Sequence, residues 1–230
     1  MLETYCVCAK NPDNVGKVRA LAEESGFTYA KDDPDFVISL GGDGTFLISE
    51  RQYPGIPKLP VRDSLICFKC HNEPLEQALQ MIRAGEAIIE QTLKLQARVS
   101  DARRLATNDV IIRNVNPRHA LRFSLRVDGE LVDDMLIGDG IVVATPFGAT
   151  GYYRSITGDT FAAGIGVAFN NLTEQRAPLE LDESATVELE VVRSRAHLAV
   201  DNDPDMAVLE VGDAASVSRA PEVTRLIGHE

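Results

Sequence analysis

Phe36-Val37-Ile38-Ser39-Leu40-Gly41-Gly42-Asp43-Gly44-Thr45 is the stretch on which the reading of this chain turns. Its first half is an apolar strand candidate that runs straight into glycines. Glycine adds no side-chain bulk and permits backbone conformations closed to other residues, so such a turn lets backbone N–H groups approach an anion. Thr45 can then start a helix, and a helix N-terminus favours phosphate. Asp43 sits in the middle of this cradle, where a negative charge would repel phosphate. It makes sense there if it organises Mg²⁺ or accepts a proton from an attacking hydroxyl. The plainer reading is an ordinary β-turn, because glycine and aspartate are common in turns.

Working outward, the first third of the chain alternates strand and helix patterns. Thr4 to Ala9 is a short apolar strand. Asn11-Pro12 offers a cap followed by proline at a first helical position. Val15, Val18, Leu21 and Ala22 then recur at helical spacing, and Gly26 ends the helix. Ser64 to Lys69 is expected to be a third strand. Pro74 to Ala84 is expected to be a helix with Leu75, Ala78, Leu79 and Ile82 on one stripe, stopped at Gly85. Strands separated by helices point to a parallel sheet with crossovers.

The remainder is rich in strand patterns. Candidates are Ala87 to Val99, Asp109 to Asn114, Leu121 to Val127, Leu131 to Ile137, Ile141 to Ala144, Ala185 to Val192, His197 to Val200, Ala207 to Val211 and Ala214 to Arg219. Asp128-Gly129 between two of them is a hairpin signal. The expected organisation is an α/β domain over residues 1–86 and a β-rich domain over 87–222. A C-terminal segment, 223–230, carries Val223, Arg225, Leu226 and Ile227 and is read as returning to the first domain.

The 230 residues are 44% hydrophobic and 25% charged, with a formal net charge of −12. That is enough chain to bury a core without disulfides or metals. The acidic balance argues against binding nucleic acid through phosphate neutralisation and against an anionic membrane surface. It leaves a nucleotide ligand open, since a pocket needs only local donors. No apolar run reaches membrane-spanning length, and Met1-Leu2-Glu3-Thr4 lacks the pattern of a secretory signal, so a cytoplasmic protein is expected. The four cysteines form two pairs, Cys6-x-Cys8 and Cys67-x-x-Cys70, with His71 next. A haem-attachment or zinc reading competes with buried, reduced thiols, and the last is the expectation taken here. No metal ligands are assigned.

Two further stretches carry chemistry. Asp139-Gly140 leads through a β-branched strand into Thr145-Pro146-Phe147-Gly148-Ala149-Thr150-Gly151-Tyr152-Tyr153. Small residues there admit a ligand to the backbone, with hydroxyls and aromatic rings beside it. Thr107-Asn108-Asp109 stands at a strand entrance, where an amide beside an acid suits ribose hydroxyls or a base edge.

In this order, the three stretches resemble the NAD kinase family. Its signature is Gly-Gly-Asp-Gly-Thr, then Asn-Glu, then Asp-Gly-x-x-x-x-Thr-Pro-Thr-Gly-Ser-Thr-Ala-Tyr, then a late Asp-Gly. Gly41 to Thr45 match fully. Asn108 matches, with Asp109 in place of Glu. Asp139, Gly140, Thr145, Pro146, Gly148, Thr150 and Tyr152 match, and the late pair is Asp201-Asn202. The chain departs where the family carries an Asn-x-Gly-x-Leu-Gly-Phe-Leu-like run; here that region holds Cys67-Phe68-Lys69-Cys70-His71-Asn72, without the glycines.

The resemblance implies a Rossmann-like parallel sheet in the first domain, a sandwich-like second domain, and a ligand site between them. It also implies transfer of the γ-phosphoryl group of ATP, or of polyphosphate, to the adenosine 2′-hydroxyl of NAD, giving NADP. Asp43 would be catalytic. Gly41, Gly42, Gly44 and Thr45 would bind phosphate. Asn108, Asp109, Asp139, Thr145, Thr150 and Tyr152 would bind the dinucleotide. Mg²⁺ or another divalent cation would accompany ATP. The expected partners are small nucleotides, with neither nucleic acid nor membrane, in a homodimer or homotetramer. A kinase of the same superfamily acting on another nucleotide or a lipid hydroxyl, and a non-catalytic nucleotide sensor, are the alternative readings.

Overall fold

The computed structural model describes residues 2–65, 67–70 and 74–228. The chain divides into two compact units, one of residues 1–92 with 223–230 and one of residues 93–222.

In the first unit the order is β1 (Thr4–Ala9), α1 (Val15–Glu24), β2 (Thr28–Tyr29), β3 (Phe36–Gly41), α2 (Asp43–Gln52), β4 (Lys58–Arg62) and α3 (Leu75–Ala84). The sheet runs β2-β1-β3-β4, and every pairing is parallel. All six residues of β3 are buried. Phe36, Ile38 and Leu40 face one core with Tyr5, Leu59, Leu79 and Ile82, while Val37 faces the opposite side with Cys6 and Cys8. A strand covered on both faces reads as a continuous apolar run, which is why Phe36–Leu40 shows no alternation. Ser39, the polar exception, is satisfied by the Ser49 hydroxyl of α2 at 3.0 Å.

Three expectations for this unit are corrected. The first helix begins at Val15 with Asn14 as its cap, whereas Asn11-Pro12 lies in the bend before it. The strand after α2 is Lys58–Arg62 and not Ser64 to Lys69, a span in which Ile66 lies outside the described residues. Lys58 and Pro60 disguise that strand. Proline is unusual in a strand interior, and Lys58 is buried only because its ammonium bonds to Glu50 and to the Tyr53 carbonyl. Leu65 and Phe68, which suggested a strand, are 100% and 63% exposed in a loop. Finally, Cys67 and Cys70 are joined in a disulfide, whereas Cys6 and Cys8 are free and buried. His71 lies outside the described residues.

The second unit is formed by β5 (Ile88–Val99, shared with the first), β6 (Ala102–Ala106), β7 (Asp109–Asn114), β8 (Leu121–Val127), β9 (Glu130–Gly138) and β10 (Gly140–Ala144). A π-helical turn, Ala149–Tyr153, and the short α4 (Arg154–Thr157) follow. Then come β11 (Ile165–Asn170), β12 (Leu179–Leu181), β13 (Thr186–Arg193), β14 (Ala196–Val200), β15 (Ala207–Leu209) and β16 (Ala214–Gly228, whose end from Val223 belongs to the first unit). One sheet runs β16-β13-β8-β9, with β5 beside β16 and hairpinned to β6. The other runs β12-β11-β10-β7-β14-β15. The pairs β16-β13, β13-β8, β8-β9 and β5-β6 are antiparallel, as are all neighbours in the second sheet. Leu121, Phe123 and Leu125 of β8 and Val187, Leu189 and Val191 of β13 form a single core with Val110, Ile112, Ile141 and Val143 of the other sheet. This is a sandwich, with residues i, i+2, i+4 of each strand turned inward.

The strand β10 is buried on both faces. Val142 and Ala144 pack outward against Ala149, Tyr153, Phe161 and Ala168. The segment after Thr145 therefore folds back over its own sheet. Asp128 and Gly129 have φ of 53° and 79°, the turn expected between β8 and β9. Among the described residues no helix is long and apolar enough to cross a membrane.

Candidate functional site

In the first unit, β3 ends at Gly41 and α2 begins at Asp43, with Gly42 as the cap. A Cβ on Gly41 would stand 2.2 Å from Thr45 Oγ1, so no larger residue fits under this turn. Thr45 is buried beneath it, and its side chain packs against Gly41. Its amide donates to the Gly42 carbonyl at 2.9 Å, as does that of Phe46 at 3.1 Å. Gly42, Asp43 and Gly44 are the residues of the turn that reach the surface.

The Asp43 carboxylate accepts backbone N–H groups from the loop after β4. Phe68 donates to Oδ1 at 3.0 Å and Oδ2 at 3.2 Å, and Lys69 donates to Oδ1 at 3.0 Å. Among the described residues Oδ1 is thus engaged twice, and Oδ2 receives only the longer arm of a shared bond. Lys69 is half-buried, which pulls its ammonium below the ordinary lysine range, with Asp43 pushing it back up. The same loop ties to the turn through Asp63 N–H and the Ser64 hydroxyl, both donating to the Gly41 carbonyl at 2.9 and 3.3 Å.

In the second unit, Thr107, Asn108 and Asp109 lead into β7. The Asp201 carboxylate accepts three consecutive N–H groups from them, at 2.8, 2.7 and 3.2 Å. Asp201 N–H returns a bond to the Asp109 carbonyl at 2.9 Å. Thr145 closes the arrangement. Its hydroxyl donates to the Thr107 carbonyl at 2.7 Å and accepts Gly148 N–H at 2.9 Å, while its own N–H donates to the Asn108 carbonyl at 2.9 Å. Asn108 is left with a buried Oδ1 that has no partner among the described residues, an acceptor available to a donor on a ligand.

Asp109 is almost fully buried, and burial raises its carboxyl to about 7, with the Asp201 charge adding to the push. Asp201 is also raised by burial, against the opposing pull of its three amides and of Lys94. Two carboxyls in one dry corner favour holding a proton between them.

These sequence-selected residues do not all meet. Asn108, Asp109 and Thr145 come together, because β7 and β10 pair with Asp109 opposite Ala144. Asp139 lies beyond the other end of that ladder, where Gly140 faces Arg113. Six steps of extended chain separate it from Thr145, roughly 20 Å. Both of its carboxylate oxygens are taken, by Asn114 Nδ2 at 2.9 Å and Asn171 Nδ2 at 3.1 Å. Thr150 and Tyr152 lie in the π-helical turn, where the Tyr152 hydroxyl accepts Asn170 Nδ2 at 3.0 Å.

Two features of the site carry little signal in the sequence. Asp201, noted only as the late acidic position, organises the whole Thr107–Asp109 turn. The loop at Phe68 and Lys69 grips Asp43 through backbone groups, for which side-chain identity gives no signal.

A family model described as the ATP-NAD kinase C-terminal domain matches residues 107–228. The NAD kinase of Pyrococcus abyssi is 31% identical over 211 residues, covering 85% of this chain and 73% of that protein. The NAD kinase of Thermomicrobium roseum is 29% identical over 219 residues, covering 90% and 75%. Among solved structures, the NAD kinase of Archaeoglobus fulgidus in complex with ATP superposes with a TM-score of 0.84 at 19% identity, covering 99% of this chain and 94% of that one. Yeast NADH kinase complexed with NADH gives a TM-score of 0.88 at 18% identity, covering 100% and 84%.

Proposed function

Because this chain belongs to the NAD kinase family, we propose that it transfers the γ-phosphoryl group of ATP to the adenosine 2′-hydroxyl of NAD, producing NADP. The observation that carries the reading is the intact strand–turn–helix with Asp43 as the first residue of α2. Phosphoryl transfer asks little covalent chemistry of a protein; it asks for positioning and for charge stabilisation. The start of α2 supplies backbone N–H groups of the kind that favour phosphate. Asp43 Oδ2, the less engaged oxygen, takes the acceptor hydroxyl's proton or orients that hydroxyl. Asn108 Oδ1 accepts from a hydroxyl or amino group of the dinucleotide, and Thr145, Thr150 and Tyr152 shape the pocket around it.

Mg²⁺ fits this donor set as a companion of the nucleotide. No cluster of three or more acidic, His or Cys side chains among the described residues could hold a cation alone. Mg²⁺ commonly binds through one or two carboxylates plus substrate phosphates, and Asp43 Oδ2 is one such oxygen. When bound, the ion neutralises phosphate charge.

Protein incubated with ATP, Mg²⁺ and NAD should form NADP, read by chromatography. Asp43→Asn keeps an oxygen for the Phe68 and Lys69 amides, so its melting temperature should stay near that of the parent. Its single-turnover rate should fall by roughly two to four powers of ten, as for loss of a general base. Folded parent protein that makes no NADP would sink the reading, and an unchanged Asp43→Asn rate would remove Asp43 from the chemistry.

A further inference from the structure

Cys67 and Cys70 close a disulfide around two residues, Phe68 and Lys69. Those are the residues whose amides hold the Asp43 carboxylate. The sulfurs lie against the same turn: Cys67 Sγ is 3.4 Å from Asp43 Oδ1, and Cys70 Sγ is 3.7 Å from the Gly41 carbonyl. A disulfide sulfur carries no proton, so these are packing contacts rather than hydrogen bonds. Arg62 fixes the near end of the loop by donating to the Cys67 carbonyl at 3.0 Å. The other two cysteines do nothing comparable. Cys6 and Cys8 are buried in an apolar layer, and burial pushes the Cys6 thiol up.

We infer that the Cys67–Cys70 disulfide is a positioning clasp for Asp43, and that its reduction by a dithiol slows phosphoryl transfer. The inference rests on the kinase reading above. Two consecutive amides aimed at one carboxylate form a small anion-binding concavity, and holding that shape costs backbone entropy. The covalent link removes most of the alternatives the loop would otherwise sample. With the clasp closed, Asp43 is held at Oδ1 and presents Oδ2. With it open, the carboxylate swings, and a misplacement of about 1 Å can cost up to a hundredfold in rate. Cys70 is the more exposed of the pair and is the sulfur open to attack.

Reduction is ordinary thiol–disulfide exchange. A thiolate of the dithiol attacks Cys70 Sγ, the S–S bond breaks, and Cys67 leaves as a thiolate that takes up a proton. The second thiol of the reductant displaces Cys70, which is protonated in turn. The protein gains two electrons and two protons, and the reductant leaves as a cyclic disulfide.

The test compares the protein as isolated and after dithiothreitol, by NADP formation and by hydrogen exchange of the Phe68 and Lys69 amides. Reduction should speed exchange of those two amides at least tenfold. It should lower kcat roughly tenfold while KM for NAD stays within about twofold, since orientation and not binding is lost. Removing the reductant and reoxidising with a diazene oxidant should restore both. A Cys67→Ser, Cys70→Ser double variant should behave as the reduced protein in either condition and should not be rescued. Equal exchange in both redox states overturns the clasp, and so does altered exchange with unchanged kcat. If neither state makes NADP, the kinase reading fails, and the exchange data alone decide whether the disulfide holds Asp43.

Discussion

Asp109 and Asp201 lie 92 positions apart in sequence yet share one buried corner, Asp201 accepting the Asp109 amide at 3.2 Å. Asp109, ordinarily near 3.8, is raised to about 7 by burial and then by Asp201. Between those values the folded protein holds a proton that the unfolded chain has released. The folded state is therefore favoured at the acid end, and this advantage is lost as pH rises from about 4 to about 7. Above that range the buried charge is a standing cost. Asp109→Asn removes the charge and keeps the shape. Its melting temperature should match the parent near pH 4 and exceed it by roughly 5 °C or more at pH 8, for a chain of this size. Thermal melts of both proteins across that range check it; a difference that does not change with pH would show that Asp109 is not carrying the load. That Thr107-Asn108-Asp109 leads into a strand was legible from sequence, because the apolar run Val110-Ile112 follows it. The coupling of these residues to Asp201 was not, since nothing local marks a carboxylate that folds back to collect backbone amides.

At the scale of elements, β7 and β8 were legible to the residue, β8 by its alternating apolar side chains and β7 as the short apolar run Val110-Ile111-Ile112 behind a turn. β4, with a buried lysine and a proline, was hidden, and so was β11, whose Gly166 breaks the pattern. The loop from Thr145 to Gly151 was visible as a run of small residues, but the reason for its glycine needs coordinates. A Cβ on Gly148 would stand 2.1 Å from the Asn108 carbonyl oxygen and 2.6 Å from Asn108 Cα. Backbone cannot step aside as a side chain can, so Gly148→Ala must push Asn108 and loosen the Thr145 bonds to Thr107 and Asn108. The expected cost is roughly 1–3 kcal/mol of stability, typical of forced overpacking. NAD affinity of the folded variant should also fall at least tenfold by calorimetry. Gly16 gives the opposite sign: it lies inside α1 with nothing within 4 Å of its would-be Cβ, so Gly16→Ala should be neutral or stabilising by about 0.5–1 kcal/mol. Equal effects at the two glycines would refute the close-approach argument.

The whole molecule is two units, of which the first is built from both ends of the chain. Its alternating strands and helices were legible because helical spacing and turn glycines punctuate them. Residues 223–230 were read as returning to it, but that the strand begun at Ala214 runs on to Gly228 was not, because a pairing between Leu226 and Lys58 leaves no local trace. That strand is nonetheless part of the first core. Thr224 and Ile227 are buried, Ile227 packs with Tyr5, Leu59 and Leu79, and Arg225 donates to the Gly55 carbonyl at 3.3 Å. Burial of one isoleucine side chain contributes roughly 1.5–3 kcal/mol, before counting the strand's own hydrogen bonds. Against a total stability of about 5–15 kcal/mol for a typical domain, that is a large share. The second unit draws its core from β5–β16 residues between Leu95 and Val217, none of them in the last eight positions. Deleting residues 223–230 should therefore weaken the first unit selectively. Limited proteolysis of the truncated protein should cut within residues 1–92 while the segment 93–222 stays resistant, and the parent should resist at both. Protection lost from both units together would mean that they do not fold as separable bodies. Protection lost from neither would mean that Ile227 is dispensable to the core it occupies.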